Sequence, residues 1–484
     1  MGTFKFESRK SIILCTGSLF VSFLFSCSEK PEQPNILFIA SDDLNTDIGC
    51  YGNSQVKTPN LDRLAEMGVR FNNAYCQQAL CGPSRASIMS GMRPNTTGFV
   101  KLRDDLRELK PDVVTLGQYF QDKGYYVGRV GKIYHYDNPA GIGTDGHDDT
   151  LTWQERFNPA GIDKLHEDSI IRFPGGRTGI KGKLGISMAY WDPKSEDSEH
   201  TDGMVADRAI EMIKRNKNKP FFVAAGFFNP HCPYVAPKKY FDLYPLEDIT
   251  MPDLNEAKKD LEDVPPMAIQ RDTANWPYYF DGITIDEAKK CKQAYYATVS
   301  FIDAQVGRLM DALEVNDLLE NTIIVFWSDH GYFLGGKGLW YKRKNFERAV
   351  RAPLIIAGYG VNEQKEAVYQ PVELLDLYPT LVECSGNQVP EELDGKSLLP
   401  FLKNSGYSWD KPAISQVHHA KNAQGYSIRT NRWRYTEWNG GEAGIELYDH
   451  ENDPDEIVNL ANNPDYQSIV EELSDKLLPY TKYE

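Results

Sequence analysis

The chain has 484 residues, with 53 Lys and Arg against 69 Asp and Glu, so its formal net charge is −16. A nucleic-acid partner favours a basic surface, and this balance argues against one. An anionic small substrate stays open, because a few basic side chains can dominate the potential inside a pocket. The length allows two or three domains with a large buried core.

The first 27 residues have the pattern of an export signal. Lys5, Arg9 and Lys10 precede the apolar stretch SIILCTGSLFVSFLF, which is too short to span a bilayer comfortably. The stretch ending at Cys27 resembles a bacterial lipoprotein signal, in which the cysteine becomes the acylated first residue. We predict a lipoprotein-type signal peptide over 1–27, a lipid anchor at Cys27, and a location in the periplasm or at the outer membrane or cell surface. Plain secretion with cleavage nearby is the alternative.

The middle of the chain alternates apolar runs with segments of helical periodicity. The runs NILFIASDD, YYVGRVG, PFFVAAGFFNP, NTIIVFWSDHG and RAPLIIAG predict buried strands, and amphipathic segments such as TPNLDRLAEMG predict helices between them. This repetition predicts an α/β fold with a mainly parallel central sheet, placed in a main domain of residues 28–400.

The last part of the chain has a different pattern. The short aromatic runs YSIRT and WRYTEW are separated by the turn-like NR, and SIVEELSDKLLPY predicts a terminal helix. We expect a C-terminal subdomain over 401–484, with a small antiparallel sheet and one helix.

Two predicted strands end in clusters of acidic residues. Asp42 and Asp43 follow the first strand, and Asp329 with His330 follows a later one. The carboxyl ends of parallel strands share one edge of a sheet, so these side chains can gather there. Three carboxylates in one place raise one another's pKa unless a cation lies among them, and oxygen ligands favour Ca²⁺, with Mg²⁺ as the alternative. Capping of helices or loops is the other interpretation of such acids.

The stretch CGPSRASIMSGMRP predicts a helix with a reactive group at its start. Pro83 suits the first turn, and Gly91 with Pro94 can end the helix. Cys81 is predicted just ahead of the N-terminus, where backbone N–H groups favour an anion, and Arg85 is near enough to hold a second negative charge. The pattern predicts an anion site that contains a nucleophile.

These residues resemble the sulfatase family. Cys81, Pro83 and Arg85 match its Cys-x-Pro-x-Arg signature, although Ser90-Gly91 stands where the family usually has Thr-Gly. The similarity extends over nearly the whole mature chain, in PNILFIASDDL, GRVGKIYHYD, NPHCPYVAP, SDHGYFLGGKGLWYK and ELYDHENDPDEIVNL. The last four supply further candidate site residues and a C-terminal signature; the candidates are Lys132, His135, His231, Asp329, His330 and Lys342.

The resemblance implies an alkaline-phosphatase-like fold with a large mixed sheet, and a sulfuric ester hydrolase. It implies that a maturation enzyme oxidises Cys81 to formylglycine, whose hydrate is the nucleophile. The implied metal ligands are Asp42, Asp43, residue 81, Asp329 and His330.

Roles for the basic residues follow from the same resemblance. Arg85, Lys132 and Lys342 would neutralise the sulfate oxygens. His231 would be the general acid for the leaving sugar oxygen, and His135 would assist the later loss of sulfate.

Within the family, the Asp-His pair and GYSIRTNRWRYTEW are most similar to iduronate-2-sulfatases. This predicts a sulfated polysaccharide or its oligosaccharides as substrate, with a 2-O-sulfated uronic acid. Those relatives commonly have Gln-Tyr-Pro-Arg where this chain has Gln-Val-His-His, so we expect His418 and His419 at the substrate pocket. An algal ulvan-type substrate with sulfated rhamnose is an alternative. Two further alternatives are a phosphodiesterase or phosphonate ester hydrolase, and an inactive lipid-anchored glycan-binding protein.

Overall fold

A seven-stranded sheet forms the centre of the main body. The computed structural model describes residues 1–3, 33–172, 184–186, 188–270, 283–362, 367–419 and 423–482. The strands of the sheet are β1 Asn35–Ser41, β2 Gly68–Arg70, β3 Tyr126–Gly131, β4 Glu155–Phe157, β5 Phe221–Gly226, β6 Thr322–Ser328 and β7 Leu354–Gly358. Their order is β2-β7-β6-β1-β5-β3-β4. Strand β7 is antiparallel to both neighbours and every other pair is parallel, which confirms the predicted mixed, mainly parallel sheet.

The central strand β1 is buried on both faces. Ile36 and Phe38 belong to one hydrophobic core, and Leu37 and Ile39 to the other. Successive side chains of a strand point to opposite faces, so the unbroken apolar run NILFIAS is what a sheet covered on both sides requires.

Helices cover both faces of this sheet. The longer ones are α1 Pro59–Glu66, α2 Cys81–Ser90, α3 Leu116–Asp122, α4 Thr201–Asn216, α5 Ile285–Val315, α6 Leu377–Cys384 and α7 Gln467–Leu477. The shorter ones are Pro94–Thr97, Leu106–Leu109, Ile162–Leu165, Lys238–Phe241, Leu254–Lys259, Glu347–Val350 and Leu399–Lys403. In the part of the chain that the structure describes, no helix has the length and hydrophobicity to cross a membrane.

Helix α2 carries the Cys-x-Pro-x-Arg signature and is buried along its whole length. It begins at Cys81, so this residue is the first of the helix and does not precede it as expected. Gly91 ends the helix with φ 67°, the left-handed conformation that glycine adopts without steric cost.

The C-terminal sheet is an antiparallel meander with one helix packed against it. Its strands are β8 Ala413–His419, β9 Ala423–Arg429, β10 Trp433–Trp438 and β11 Ile445–Asp449. Val470 and Leu473 of α7 share a hydrophobic cluster with Tyr426 and Ile428 of β9. The predicted antiparallel sheet with a terminal helix is therefore confirmed.

Short strands complete the structure. They form a three-stranded sheet of Ala74–Tyr75, Arg351–Ala352 and Val372–Glu373, a second of Ile171–Arg172, Ala189–Trp191 and Tyr234–Val235, and a hairpin of Phe333–Leu334 with Trp340–Tyr341.

The predicted domain limits stay predictions. Residues Gln33–Glu484 cluster as one compact unit, and Phe401 shares a hydrophobic core with Phe71, across the expected boundary between residues 400 and 401. Cys27 and most of the predicted signal peptide lie outside the described residues.

Candidate active site

Two buried carboxylates follow β1 at the carboxyl edge of the sheet. Asp42 accepts a hydrogen bond from Arg85 Nη2 at 3.2 Å and another from Lys132 Nζ. Asp43 accepts one from Lys342 Nζ. Its backbone has φ 64°, a left-handed conformation that is uncommon for non-glycine residues and that Asp and Asn adopt more readily than most.

The end of β6 brings a third carboxylate and an imidazole to the same place. Asp329 Oδ1 accepts from the Asp43 backbone N–H at 3.1 Å. His330 Nδ1 donates to the Gly331 carbonyl at 2.9 Å, so the neutral ring carries its lone pair on Nε2. The Nε2 atom lies 3.4 Å from Asp43 Oδ1. Burial lowers the pKa of the His330 ring, which keeps the imidazole neutral and able to bind a metal. The acidic ends of the two strands thus meet as the sequence predicted.

Cys81 lies against this group of side chains. Its Sγ is 3.3 Å from Lys342 Nζ, 3.5 Å from His330 Nε2 and 4.0 Å from Asp43 Oδ1. Burial raises the pKa of the Cys81 thiol well above its usual value. An unmodified Cys81 is therefore protonated here and is a poor nucleophile, since the thiolate is the reactive form.

Arg85 holds the carboxylates of Asp42 and Asp329 in place. All five of its N–H donors are engaged, because Nε, Nη1 and Nη2 donate to Asp329 Oδ2, Asp42 Oδ1 and the carbonyls of Ser41, Lys132 and Ile133. The guanidinium also lies 5.5 Å from the Trp327 ring. This arrangement leaves Arg85 no N–H donor for a direct hydrogen bond to a sulfate oxygen, so its predicted part in neutralising the sulfate stays a prediction.

His231 and His135 occupy different environments. His231 Nδ1 donates to the Cys232 carbonyl at 2.7 Å, and Nε2 lies 3.7 Å from Asp43 Oδ2. Burial, with Lys342 second, lowers the pKa of His231 to about 3. His135 pairs instead with Asp137, at 3.3 Å, and burial lowers the pKa of its ring to about 4.

The donor atoms fit a divalent cation. Cys81 belongs to two groups whose ligand atoms lie within 4.8 Å of one another, namely Asp42, Asp43, Cys81 and His231, and Cys81, Asp329 and His330. Asp43 Oδ2 is buried and accepts no hydrogen bond from the described residues.

The pKa values of the two neighbouring carboxyls support this fit. Burial raises the pKa of Asp43 in spite of its contact with Lys342, whereas the cations around Asp42, Lys132 first, overcome burial and lower its pKa well below the usual value. Asp43 is thus incompletely neutralised by the protein, as a metal ligand would be.

His418 and His419 lie on β8, which runs beside the residues preceding Cys81. Gln416 N–H donates to the Gln77 carbonyl at 2.8 Å. The His418 carbonyl lies 3.5 Å from the guanidinium of Arg343, the residue after Lys342. His419 is buried and stacks on Trp438 with ring centroids 5.7 Å apart. His418 is therefore the better placed of the two for the predicted substrate contact.

The sequence interpretation did not identify Tyr295 and Ser84 as site residues, although both donate hydrogen bonds to backbone carbonyls of the acidic loops. The Tyr295 hydroxyl donates to the Asp43 carbonyl at 2.8 Å and accepts from the Asn45 N–H at 2.8 Å, which fixes the loop after β1. Ser84 Oγ donates to the Asp329 carbonyl at 2.5 Å. Tyr295 has a core position on α5, and nothing in its sequence pattern distinguishes it from the apolar residues around it.

The family follows from comparison with known proteins. Residues 34–387 match the sulfatase family model, and residues 335–482 match that of the N-sulphoglucosamine sulphohydrolase C-terminal region. This chain belongs to the sulfatase family. It is therefore an enzyme that hydrolyses sulfate esters, in a family that uses a metal ion and a formylglycine.

Individual relatives span most of the chain. A sulfatase of Formosa agariphila is 39% identical over 93% of this chain and 87% of its own length. The human iduronate 2-sulfatase is 33% identical over 84% of this chain and 85% of its own. Among solved structures, a 2-O glycosaminoglycan sulfatase is 26% identical with a TM-score of 0.70, covering 93% of this chain and 92% of that one.

A phosphonate monoester hydrolase of Silicibacter pomeroyi has the same fold. It is 22% identical with a TM-score of 0.74, over 93% of this chain and 95% of its own.

Proposed function

We propose that this sulfatase removes the 2-O-sulfate of a uronic acid in a sulfated polysaccharide or its oligosaccharides. The observation that carries the proposal is the position of Cys81, whose Sγ lies within 4.0 Å of Asp43, His330 and Lys342 in a buried site. Support for the sugar comes from the similarity to the human iduronate 2-sulfatase and to a 2-O glycosaminoglycan sulfatase.

The charges of the site suit an anionic ester. Three carboxylates, Asp42, Asp43 and Asp329, are balanced by three cationic side chains, which are Arg85, Lys132 and Lys342. A bound divalent cation, Ca²⁺ or Mg²⁺, would add two positive charges, polarise the sulfate and favour an ionised nucleophile. The negative charges of the sulfate ester and of the ionised nucleophile would then balance the two positive charges of the cation.

Each residue has a defined task in this scheme. A formylglycine at position 81 would supply a hydroxyl nucleophile in place of the protonated thiol. Lys132 and Lys342 keep positive charge beside the sulfate oxygens, and Arg85 holds the metal-binding carboxylates in place.

The two histidines would handle protons. The Nδ1–H of His231 is fixed by the Cys232 carbonyl, so the proton for the leaving sugar oxygen is carried on Nε2. A bound anion raises the pKa of the ring from the low value that burial imposes. His135, oriented by Asp137, is proposed to assist release of sulfate.

Two measurements test the proposal. The mass of the tryptic peptide of residues 71–85, from protein made in its native host, should show that the thiol of Cys81 has become an aldehyde. The same protein should release sulfate from 2-O-sulfated uronate disaccharides faster than from 6-O- or N-sulfated ones. Sulfate release from ulvan rhamnose fragments alone would move the substrate to the alternative sugar.

The remaining alternatives have their own outcomes. Hydrolysis of a phenyl phosphonate without sulfate release would assign the site to phosphorus chemistry. An unmodified Cys81 with intact glycan binding would indicate a non-catalytic glycan-binding protein.

The predicted export signal bears on where the enzyme acts. We propose that the enzyme is anchored through Cys27 in the periplasm or at the cell surface, where polysaccharides are met. Labelling with a radioactive fatty acid should mark the wild-type protein, and Cys27→Ser should abolish the label.

A further inference from the structure

A cleft lies at the end of the C-terminal sheet that is opposite to His418 and His419. It has a volume of about 420 Å³, within the range of ligand pockets. Arg351, Tyr369, Arg429 and the amides of Asn72 and Asn431 are among its lining residues. None of its lining residues belongs to the carboxylate group around Cys81.

Arg429 has a buried donor that the described residues leave unpaired. The residue is 4% exposed, and its Nε makes no hydrogen bond to them. The nearest carboxylate oxygen, Glu347 Oε2, is 3.7 Å away, beyond hydrogen-bond distance. A buried donor without an acceptor is unfavourable, so this nitrogen points to a bound acceptor group in the cleft.

Arg351 also has donor capacity to spare. Its Nε donates to the Asn72 carbonyl at 2.8 Å, and its Nη1 is 3.8 Å from Glu347 Oε1. The oxygens of Glu347 are already occupied by hydrogen bonds from Tyr75 and Arg434. The Arg351 side chain is 22% exposed, so its free edge can be reached from solvent.

The local charge is positive although the chain is acidic overall. The charged lining residues are two arginines, Arg351 and Arg429, and one carboxylate, Glu347, which also pairs with the buried Arg434. A surplus of guanidinium groups in a cleft attracts anions, and guanidinium binds carboxylate or sulfate through paired hydrogen bonds.

We propose that this cleft binds one anionic sugar unit of the polysaccharide substrate. Arg351 and Arg429 would hold its carboxylate or sulfate, and the exposed ring of Tyr369, 61% accessible, would pack against the sugar face. The amides of Asn72 and Asn431 can exchange hydrogen bonds with its hydroxyls. The identity of the polymer rests on the proposed function, whereas the anion-binding chemistry of the cleft does not.

The cleft is too far from His418, at the predicted substrate contact, to bind the sugar unit that occupies the active site. Gln424 of β9 faces His418, and Arg429 is five residues further along the strand, about 17 Å at 3.4 Å per residue. A long chain bound at both places gains effective concentration at the active site, and a disaccharide does not. We therefore expect the cleft to affect the KM for polymer and not the KM for disaccharide.

The test compares Arg351→Gln and Tyr369→Ala with a control, Arg63→Gln, which alters an exposed arginine of α1. Retardation in gels containing heparan sulfate or ulvan is measured, with desulfated polymer alongside, and kcat and KM are determined for polymer and disaccharide. Both cleft variants should lose retardation and raise the polymer KM several-fold. Their kcat, disaccharide KM and Tm should match the control. Unchanged retardation, or an equal rise in both KM values, would overturn the proposal.

Cys81→Ala separates this proposal from the proposed function. If the wild type releases no sulfate from any glycan but Cys81→Ala protein is retarded through Arg351 and Tyr369, the cleft stands and the proposed function fails. If the wild type hydrolyses the polymer but loss of both side chains leaves retardation unchanged, the cleft proposal fails alone.

Discussion

Two buried clusters of charge in this protein look alike in composition but differ in how they are balanced. The catalytic cluster contains Asp42, Asp43, Asp329 and their cations, and the Glu347 cluster contains Glu347, Glu456, His450 and Arg434. Both bring together three potential metal ligands or more. Only their hydrogen bonds, among the residues described, tell them apart.

In the Glu347 cluster the carboxylates are matched by arginine. Arg434 donates to Glu347 and lies 2.6 Å from Glu456, and His450 bonds to Glu456 at 3.0 Å. In the catalytic cluster Asp43 Oδ2 accepts no hydrogen bond from the described residues, and the Cys81 thiol lies beside the same carboxylate. A guanidinium held between two carboxylates stabilises the fold, whereas a buried carboxylate oxygen without a hydrogen bond is available to bind a cation. The predictions that follow test this difference in decreasing order of the change expected.

Cys81→Ala should abolish sulfate release, by roughly 10³-fold or more, because the residue that becomes the nucleophile is lost. The side chain removed is small, so Tm should fall by only a few degrees. Sulfate release and thermal unfolding are measured on the same preparation. Retained turnover would show that the nucleophile lies elsewhere.

Lys342→Ala should mainly lower activity, whereas Arg434→Met should mainly lower stability. Loss of the Lys342 charge should lower kcat/KM by about 10²–10³-fold, as expected for a group that stabilises transition-state charge. Loss of Arg434 removes the buried guanidinium that pairs with both Glu347 and Glu456, and should lower the free energy of unfolding by about 3–5 kcal/mol. Steady-state kinetics and urea unfolding are compared for both variants. A folded Arg434→Met protein with greatly reduced kcat would contradict the distinction between the clusters.

Removal of the metal should lower the stability of the wild type. A cation that binds only the folded state at 100 times its Kd contributes about 2.7 kcal/mol, and a chelator removes this. Thermal unfolding with and without chelator, followed by added Ca²⁺, measures it. Asp43→Asn should lose the response and Glu456→Gln should keep it. A full response in Asp43→Asn would show that the cation is held elsewhere.

Glu446→Gln should flatten the pH dependence of stability with the smallest effect. Burial raises the pKa of Glu446 to about 7, and its carboxyl accepts hydrogen bonds from Trp438 and Tyr448. The folded state favours the protonated acid, so its contribution to stability is complete below the unfolded pKa of about 4.3 and is lost as pH rises towards 7.

Between pH 5 and 7 this loss amounts to about 2 kcal/mol in the wild type, because each pH unit in this range contributes at most about 1.36 kcal/mol. The variant carries no titrating group at this position and should gain stability relative to the wild type between pH 5 and 7. Urea unfolding across this range measures the difference. Parallel pH profiles for the two proteins would show that the pKa of Glu446 is ordinary.

The fold class, and the meeting of the two acidic strand ends, could be predicted from the sequence. The apolar runs ending in Asp42–Asp43 and in Asp329–His330 require buried parallel strands, and parallel strands bring their carboxyl ends to one edge. The Cys-x-Pro-x-Arg stretch likewise contains its own helix signals. Such features are local, so a linear pattern can display them.

The orientation of individual side chains, in contrast, depends on the packed fold. Arg85 turns all its donors to the protein, His419 stacks on Trp438, and Tyr295 supports the Asp43 loop from a helix that begins more than two hundred residues later. The sequence likewise gives no sign that Arg429 Nε is buried without a hydrogen bond to the described residues. Each depends on partners distant in the chain, because a buried polar group takes whichever acceptor the packed fold brings to it.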